Sequence, residues 1–287
     1  MVVRYFASTL ADSLNAKPLT GSTGSEISTG IELREITDET LAQLTRLVSE
    51  RCVVALRNQY LSPEELVTLG HRLGNVTYTP GLPRNTQWEN VFLVTSPREG
   101  GYPTEHWHTD ATTQVRPPAY TILIPKSLPD VGGDTLVLNQ YETYASLSLG
   151  FRKLLSGLTL RHEIRIQAGQ AGLVYHDDND RGGADHPLVR FHPDTGRRCI
   201  FINAPGGLGD IDGLSSEESR WLVEYLYRKA TADNNRIYRH RWQPGDVLIF
   251  DNRCSMHSVV HDYPLNQERT LYRLMTQGEE PYDLPYD

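Results

Sequence analysis

Leucines at 41, 44 and 47, with Val48 beside the last, recur at the interval that gathers side chains on one helical face, so a helix is predicted from about Asp38 to Glu50. Ser62-Pro63-Glu64-Glu65 combines an N-cap serine, a proline at the first helical position and a glutamate able to close a capping box. It predicts a second helix ending at Gly74. A third is expected over Tyr141 to Leu155 with a break near Gly150, and a fourth from the capping box Ser215-Ser216-Glu217-Glu218 to about Ala230. Elsewhere the apolar residues come in short β-branched runs bounded by Gly, Pro and Asp: Val53–Leu56, Val91–Val94, Tyr120–Ile124, Leu136–Leu138 and Val247–Phe250. His192-Pro193-Asp194-Thr195-Gly196 reads as a hairpin turn, with His192 exposed on it, and Pro244-Gly245-Asp246 as a turn feeding the Val247 strand. Many short strands with a few helices predict a mainly-β jelly roll with helices packed outside it, a single domain over residues 1–287. Residues 168–185 (AGQAGLVYHDDNDRGGAD) lack any periodicity, and a loop of that length is read as a lid over a site.

Composition narrows the function. The chain has a formal net charge of −8, which excludes the basic face that a nucleic acid or an anionic membrane would need. Arg239, Arg241, Arg253, Arg269 and Arg273 nevertheless gather near the C-terminus and point to a small anionic ligand. Three scattered cysteines without a CxxC pair read as reduced thiols of a cytoplasmic protein. No segment approaches the roughly 18 apolar residues of a membrane span, and no secretory leader is evident. Homo-oligomerisation is left open.

Ten histidines and 36 acidic residues make an H-x-D triplet weak on its own, and the sequence holds three: His108-Thr109-Asp110, His176-Asp177-Asp178 and His192-Pro193-Asp194. The first alone follows an aromatic residue, Trp107, and leads through a turn into an apolar strand. Residues i and i+2 of a strand share a face, so His108 and Asp110 can offer an imidazole and a carboxylate to one ion. His257, after the Val247 strand, is the natural third ligand. Two His and one carboxylate leave three positions of an octahedral ion open, the pattern of non-haem Fe(II) oxygenases. The competing reading makes these histidines satisfied polar residues of a β core. Thr135, closing Gly132-Gly133-Asp134-Thr135, and Arg269, 12 residues after His257, could together hold the far carboxylate of a dicarboxylic co-substrate.

Ordered along the chain, Trp107-His108-Thr109-Asp110, Gly132–Thr135, Phe250-Asp251-Asn252 leading to His257, and Arg269-Thr270-Leu271-Tyr272-Arg273 resemble the signature of the taurine dioxygenase family, which includes the 2,4-dichlorophenoxyacetate and dichlorprop dioxygenases. Pro18–Ile27 and Arg241-Trp242-Gln243-Pro244-Gly245-Asp246 extend the likeness over most of the chain. The resemblance implies a double-stranded β-helix of cupin-like form, Fe(II), O2 and 2-oxoglutarate, with Thr135 and Arg269 on the co-substrate and Arg273 on an anionic group of the primary substrate. It implies oxidative decarboxylation of 2-oxoglutarate to succinate and CO2, coupled to hydroxylation of an aliphatic C–H of a small molecule carrying a carboxylate or sulfonate. Where the family places a His and an Asn around the sulfonate, this chain has Thr79 and Thr104, which argues against taurine as the substrate. Asp110 separates the chain from the related halogenases, which replace that carboxylate with Gly or Ala. His261, four residues after His257, is a further candidate for substrate contact if the strand continues that far. A tailoring oxidase that desaturates or closes a ring, and a non-catalytic cupin-like binding protein, are the alternatives.

Overall fold

The interior is laid down by alternation in adjacent strands. Val53, Ala55, Leu248, Phe250, Leu123 and Leu271 point one way, against Val137 and Tyr238 of a second sheet. Val54, Leu56, Val247, Ile249, Ile122 and Ile124 point the other way, under helical leucines. In this computed structural model the residues described are 10–78, 87–88, 90–95, 106–163, 183–264 and 266–285.

The major sheet runs Lys17–Pro18, Ser25–Ile27, Val53–Leu56, Val247–Asp251, Pro118–Ser127 and Thr270–Gln277, with Val76–Thr77 and Phe92–Thr95 both paired to the last of these. Its pairings are antiparallel except Ser25–Ile27 on Val53–Leu56. Facing it is an antiparallel sheet of Ile237–His240, Thr135–Asn139 and Ser255–Val259. The two make the expected jelly roll. Leu41, Leu44, Leu47 and Val48 of the helix Asp38–Arg51 and Leu66 and Leu69 of the helix Pro63–Leu73 cover the outer face of the major sheet. Leu222, Val223 and Leu226 of the helix Ser216–Thr231 lie outside the minor sheet, in one cluster with its outward-facing Leu138 and Met256.

Both predicted capping boxes form, on Ser62 with Glu65 and on Ser215 with Glu218. The third helix is two, Gln140–Ala145 and Leu149–Leu155. The break falls before Gly150, because the Ser148 hydroxyl accepts the Phe151 amide and starts a new helix there. Of the stretch read as a lid, residues 168–182 lie outside the described residues. Ala184 and Asp185 belong to the strand Ala184–Pro187, which pairs with Thr159–His162.

His192 is fully buried, not exposed as its turn suggested. Its Nε2 lies 3.0 Å from Asp251 Oδ2, and the same carboxylate accepts from Ser49 Oγ at 2.8 Å and from Arg253 Nε and Nη2 at 2.9 and 2.7 Å. Arg253 also donates to the Tyr120 hydroxyl at 2.7 Å and pairs with Asp194 at 2.8 Å. Burial alone would raise the Asp251 carboxyl, but Arg253 and then His192 hold it far below the usual carboxylate range. One carboxylate thus ties a helix, a hairpin turn and two strands to the turn that leads into His257.

Asp251→Ala leaves Arg253 buried without its main counter-charge and is expected to cost about 3–5 kcal/mol. Urea unfolding of the metal-free protein measures this, and an unchanged midpoint would show that the network does not hold the strand end.

Candidate active site

The site lies between the two sheets. His108 and His257 form an isolated antiparallel bridge, exchanging backbone hydrogen bonds of 3.0 and 2.8 Å. That exchange sets the imidazoles side by side, ring centroids 4.1 Å apart. Asp110 follows two residues after His108 and just before a tight turn at Ala111, whose φ is +44°. His108, Asp110 and His257 each present a ligand atom within 4.8 Å of the others, a group able to hold a metal ion. Nδ1 of His108 lies 2.8 Å from the His106 carbonyl, so it carries the proton and Nε2 keeps its lone pair for a ligand bond.

The Asp110 carboxylate is used on both sides. Oδ2 accepts from Thr121 Oγ1 at 2.8 Å, and Oδ1 accepts from Arg273 Nη1 at 3.0 Å while lying 3.9 Å from His257 Nε2. Burial raises the Asp110 carboxyl, but Arg273, His257, His108 and the Thr121 hydroxyl outweigh it and bring it to about 2. Burial lowers His257 to about 3, with His108 and Arg273 adding to the effect against Asp110. His108 is lowered too, by burial first, against Asp110 and the His106 carbonyl. All three candidate ligands are therefore in the form a cation needs across the neutral range.

The predicted anchor assembles beside this group. Arg269 is completely buried; its Nε donates to the Gly133 carbonyl at 2.6 Å and its Nη2 to Thr135 Oγ1 at 3.1 Å. Trp242 Nε1 donates to the same hydroxyl at 3.0 Å, so both lone pairs of Thr135 are engaged and its proton is left to give away. Nη1 of Arg269 is buried with no hydrogen-bond partner among the described residues. Burial brings the guanidinium down to about 10, still fully charged at neutral pH. A buried cation with an idle N–H, next to a hydroxyl with an idle proton, fits a carboxylate. Gly133, at φ +71°, is needed here, since a Cβ would stand 3.0 Å from Arg269 Cδ.

The other predicted residues fare differently. Arg273 is buried on the same face as Leu271 and pairs with the Asp110 carboxylate. His261 lies beyond the end of the strand Ser255–Val259 and is exposed, so the shared-face argument does not extend to it. Thr79 and Thr104 lie outside the described residues. The five C-terminal arginines do not form one patch: Arg239 pairs with Asp134 and Asp262, Arg253 with Asp251, and Arg241 is exposed. Thr121, Asn252 and Trp242 are the site residues to which the sequence reading gave no role.

The depressed histidines make metal-free stability pH-dependent. The unfolded chain takes up a proton near 6.5 that folded His257 refuses until about 3, so stability is lost as pH falls through that window. His257→Gln is expected to flatten the decline of the urea-derived unfolding free energy by up to about 1.4 kcal/mol per pH unit between pH 6.5 and 4. An identical slope in the variant would show that the ring is not held neutral.

Comparison with known proteins agrees with this geometry. Residues 15–275 match the family model described as "Taurine catabolism dioxygenase TauD, TfdA family". The chain is 30% identical over 304 residues to an alpha-ketoglutarate-dependent sulfonate dioxygenase of Saccharomyces cerevisiae, covering 97% of this chain and 70% of the yeast protein. It is 28% identical over 267 residues to the alpha-ketoglutarate-dependent 2,4-dichlorophenoxyacetate dioxygenase of Cupriavidus pinatubonensis, covering 86% and 92%. A crystal structure of a taurine dioxygenase from Burkholderia xenovorans superimposes with a TM-score of 0.78 at 29% identity, covering 93% of this chain and 91% of that one. The chain belongs to the taurine dioxygenase (TauD/TfdA) family, and it is an alpha-ketoglutarate-dependent dioxygenase.

Proposed function

We propose that this dioxygenase holds its ferrous ion on His108, Asp110 and His257, holds the far carboxylate of 2-oxoglutarate on Arg269 and Thr135, and hydroxylates an aliphatic C–H of a small anionic molecule. The observation that carries the reading is the idle Nη1 of the fully buried Arg269. A desolvated guanidinium costs several kcal/mol unless an anion meets it, and a protein with a merely structural metal has no use for one. Bound iron would supply the redox chemistry by which O2 and 2-oxoglutarate give succinate and CO2, with one oxygen atom left for the substrate.

The chain's own residues do the positioning. The His108–His257 backbone pair fixes the two imidazoles, and burial keeps them neutral. Gly133, Thr135 and Trp242 orient Arg269 and the hydroxyl beside it. Arg273 shares Oδ1 of Asp110. A divalent cation on that oxygen would draw off part of its charge, so that an anionic group of the substrate could meet the guanidinium as well. The relatives named for a sulfonate and a phenoxyacetate support an anionic substrate class. Thr79 and Thr104 stay on the substrate side of the proposal on sequence grounds alone. A single catalytic unit over residues 1–287 is supported by the family match at 15–275, and a cytoplasmic location by three buried, unbridged cysteines. No helix among the described residues is long and apolar enough to cross a membrane.

The test is the weak visible band that a chelating 2-oxo acid gives on ferrous iron without oxygen. His108→Ala, Asp110→Ala and His257→Ala should each abolish it. Arg269→Ala should keep metal binding and raise the 2-oxoglutarate requirement by about two to three orders of magnitude, the equivalent of about 2–5 kcal/mol for a broken, desolvated charge pair. Gly133→Ala should shift it the same way by a smaller factor. An unchanged requirement in Arg269→Ala puts the anchor elsewhere.

Arg273→Ala should keep the band and release succinate without matching product, because a misplaced substrate uncouples the two halves of the reaction. Normal coupling in that variant, read as succinate against hydroxylated product for a sulfonate or aryloxyacetate that the wild type accepts, would make Arg273 a structural charge.

A further inference from the structure

The two oxygens of Asp110 are not equivalent. Oδ1 is the oxygen 3.9 Å from His257 Nε2, whereas Oδ2 receives the Thr121 hydroxyl at 2.8 Å. That hydroxyl in turn receives Asn252 Nδ2 at 2.8 Å. A hydroxyl has one proton, so a donor arriving from Asn252 directs that proton to Oδ2. Asn252 cannot turn its amide round without loss, because its Oδ1 accepts the Asp110 backbone N–H at 3.4 Å and its own backbone N–H is tied to the Ala119 carbonyl at 2.8 Å. Asp110, Thr121 and Asn252 are all buried, and they close a ring of hydrogen bonds: Asn252 to Thr121, Thr121 to Asp110, Asp110 back to Asn252.

We propose that Thr121 and Asn252 are positioning residues that restrict Asp110 to ligating the metal through Oδ1 alone. The inference rests on the metal assignment above. Its consequence is a count of open positions. Two imidazoles and one carboxylate oxygen leave three of six positions free, two for a chelating 2-oxo acid and one for O2. A carboxylate released from Thr121 could swing Oδ2 onto the same ion, as flexible carboxylates do. That would remove one of the positions the co-substrates need. The clamp thus protects co-substrate binding more than metal binding.

The experiment compares Thr121→Val, which keeps shape and loses the hydroxyl, with Thr121→Ser, which keeps the hydroxyl, and Asn252→Leu, which removes the directing donor. Each full-length protein is loaded with Co(II), whose visible spectrum reports coordination number, and titrated with 2-oxoglutarate without oxygen. Mn(II) affinity is measured separately on the metal-free proteins, and a thermal melt records folding. Thr121→Val is expected to bind Mn(II) as well as the wild type or better, to change the Co(II) spectrum, and to bind 2-oxoglutarate about ten- to a hundredfold more weakly, the worth of a charge-assisted hydrogen bond. Thr121→Ser should restore all three readouts, and Asn252→Leu should fall between.

Thr121→Val with the wild-type Co(II) spectrum and 2-oxoglutarate affinity overturns the inference. So does a folded Thr121→Val that loses Mn(II), since the hydroxyl would then serve metal affinity and not denticity. If Thr121→Val does not fold, Asn252→Leu decides by the same readouts. Failure of the wild type itself to bind metal would defeat the metal assignment, a result distinct from either.

Discussion

Buried charge is the constraint that organises this molecule. Asp110, Arg269, Arg273, Asp251 and Arg253 are all buried, and an ion removed from water without compensation costs several kcal/mol. Each is therefore held by geometry that leaves it little freedom. Asp251 takes hydrogen bonds from a serine, a histidine and an arginine and so fixes where the strand Val247–Asp251 ends. Six residues further on stands His257, whose place against His108 depends on that end being fixed. Arg269 differs from the other two arginines: it has no carboxylate partner among the described residues, and its Nη1 is buried with no hydrogen bond there.

The site is built on backbone before side chain. Two amide–carbonyl bonds between His108 and His257 set the two side chains opposite each other, so that the rings meet, and the minor sheet carries His257 on the same face as Val137, its register partner. The strand Thr270–Gln277 sets Arg273 opposite Leu123, on the face that also holds Thr121 two residues earlier. A carboxylate that must be reached from both sides, by Thr121 and by Arg273, is thus served by neighbouring strands of one sheet. Rigid elements supply the precision that a catalytic constellation needs, with supporting hydrogen bonds locking each rotamer.

Much of this was legible in the sequence because it is local. Period-3.6 leucines gave the helix Asp38–Arg51, capping boxes gave two helix starts, and the short spacing of His108 and Asp110 brought them into one group, although Asp110 lies in a turn and not on a strand. What was not legible depends on partners far away in the chain. His192 sits in a turn sequence that looks exposed, and its burial is decided by Asp251, 59 residues on. Thr121 lies in a run of β-branched residues, where threonine is an ordinary strand former; its hydroxyl acquires a role only when Asp110 and Asn252 close around it. The arginines that looked like one basic cluster diverge because sequence proximity does not determine which sheet face a side chain meets. Within the resemblance, Asn252 and Trp242 were visible as letters of a motif, but a motif does not say which oxygen an amide addresses.

The pairing of Arg273 with Asp110 links two ligands that would otherwise be independent. Without a cation, the guanidinium is the largest compensation for the carboxylate, and with His257, His108 and the Thr121 hydroxyl it brings the carboxyl to about 2 against the effect of burial. A divalent ion on Oδ1 replaces that compensation with a stronger one. On the proposal above, Arg273 would then lose part of its compensation from Asp110, and an anionic group of the substrate could supply it. If the ion sits on Oδ1 and Arg273 receives the substrate, as proposed above, substrate affinity rises with metal occupancy, and by linkage a bound anion strengthens metal binding by the same factor. On the same proposal a substrate would arrive at a site already loaded, because Arg273 is otherwise engaged with Asp110. Within that proposal Thr121 and Asn252 would sharpen the coupling: by holding Oδ2 they leave Oδ1 as the oxygen that metal and arginine would share.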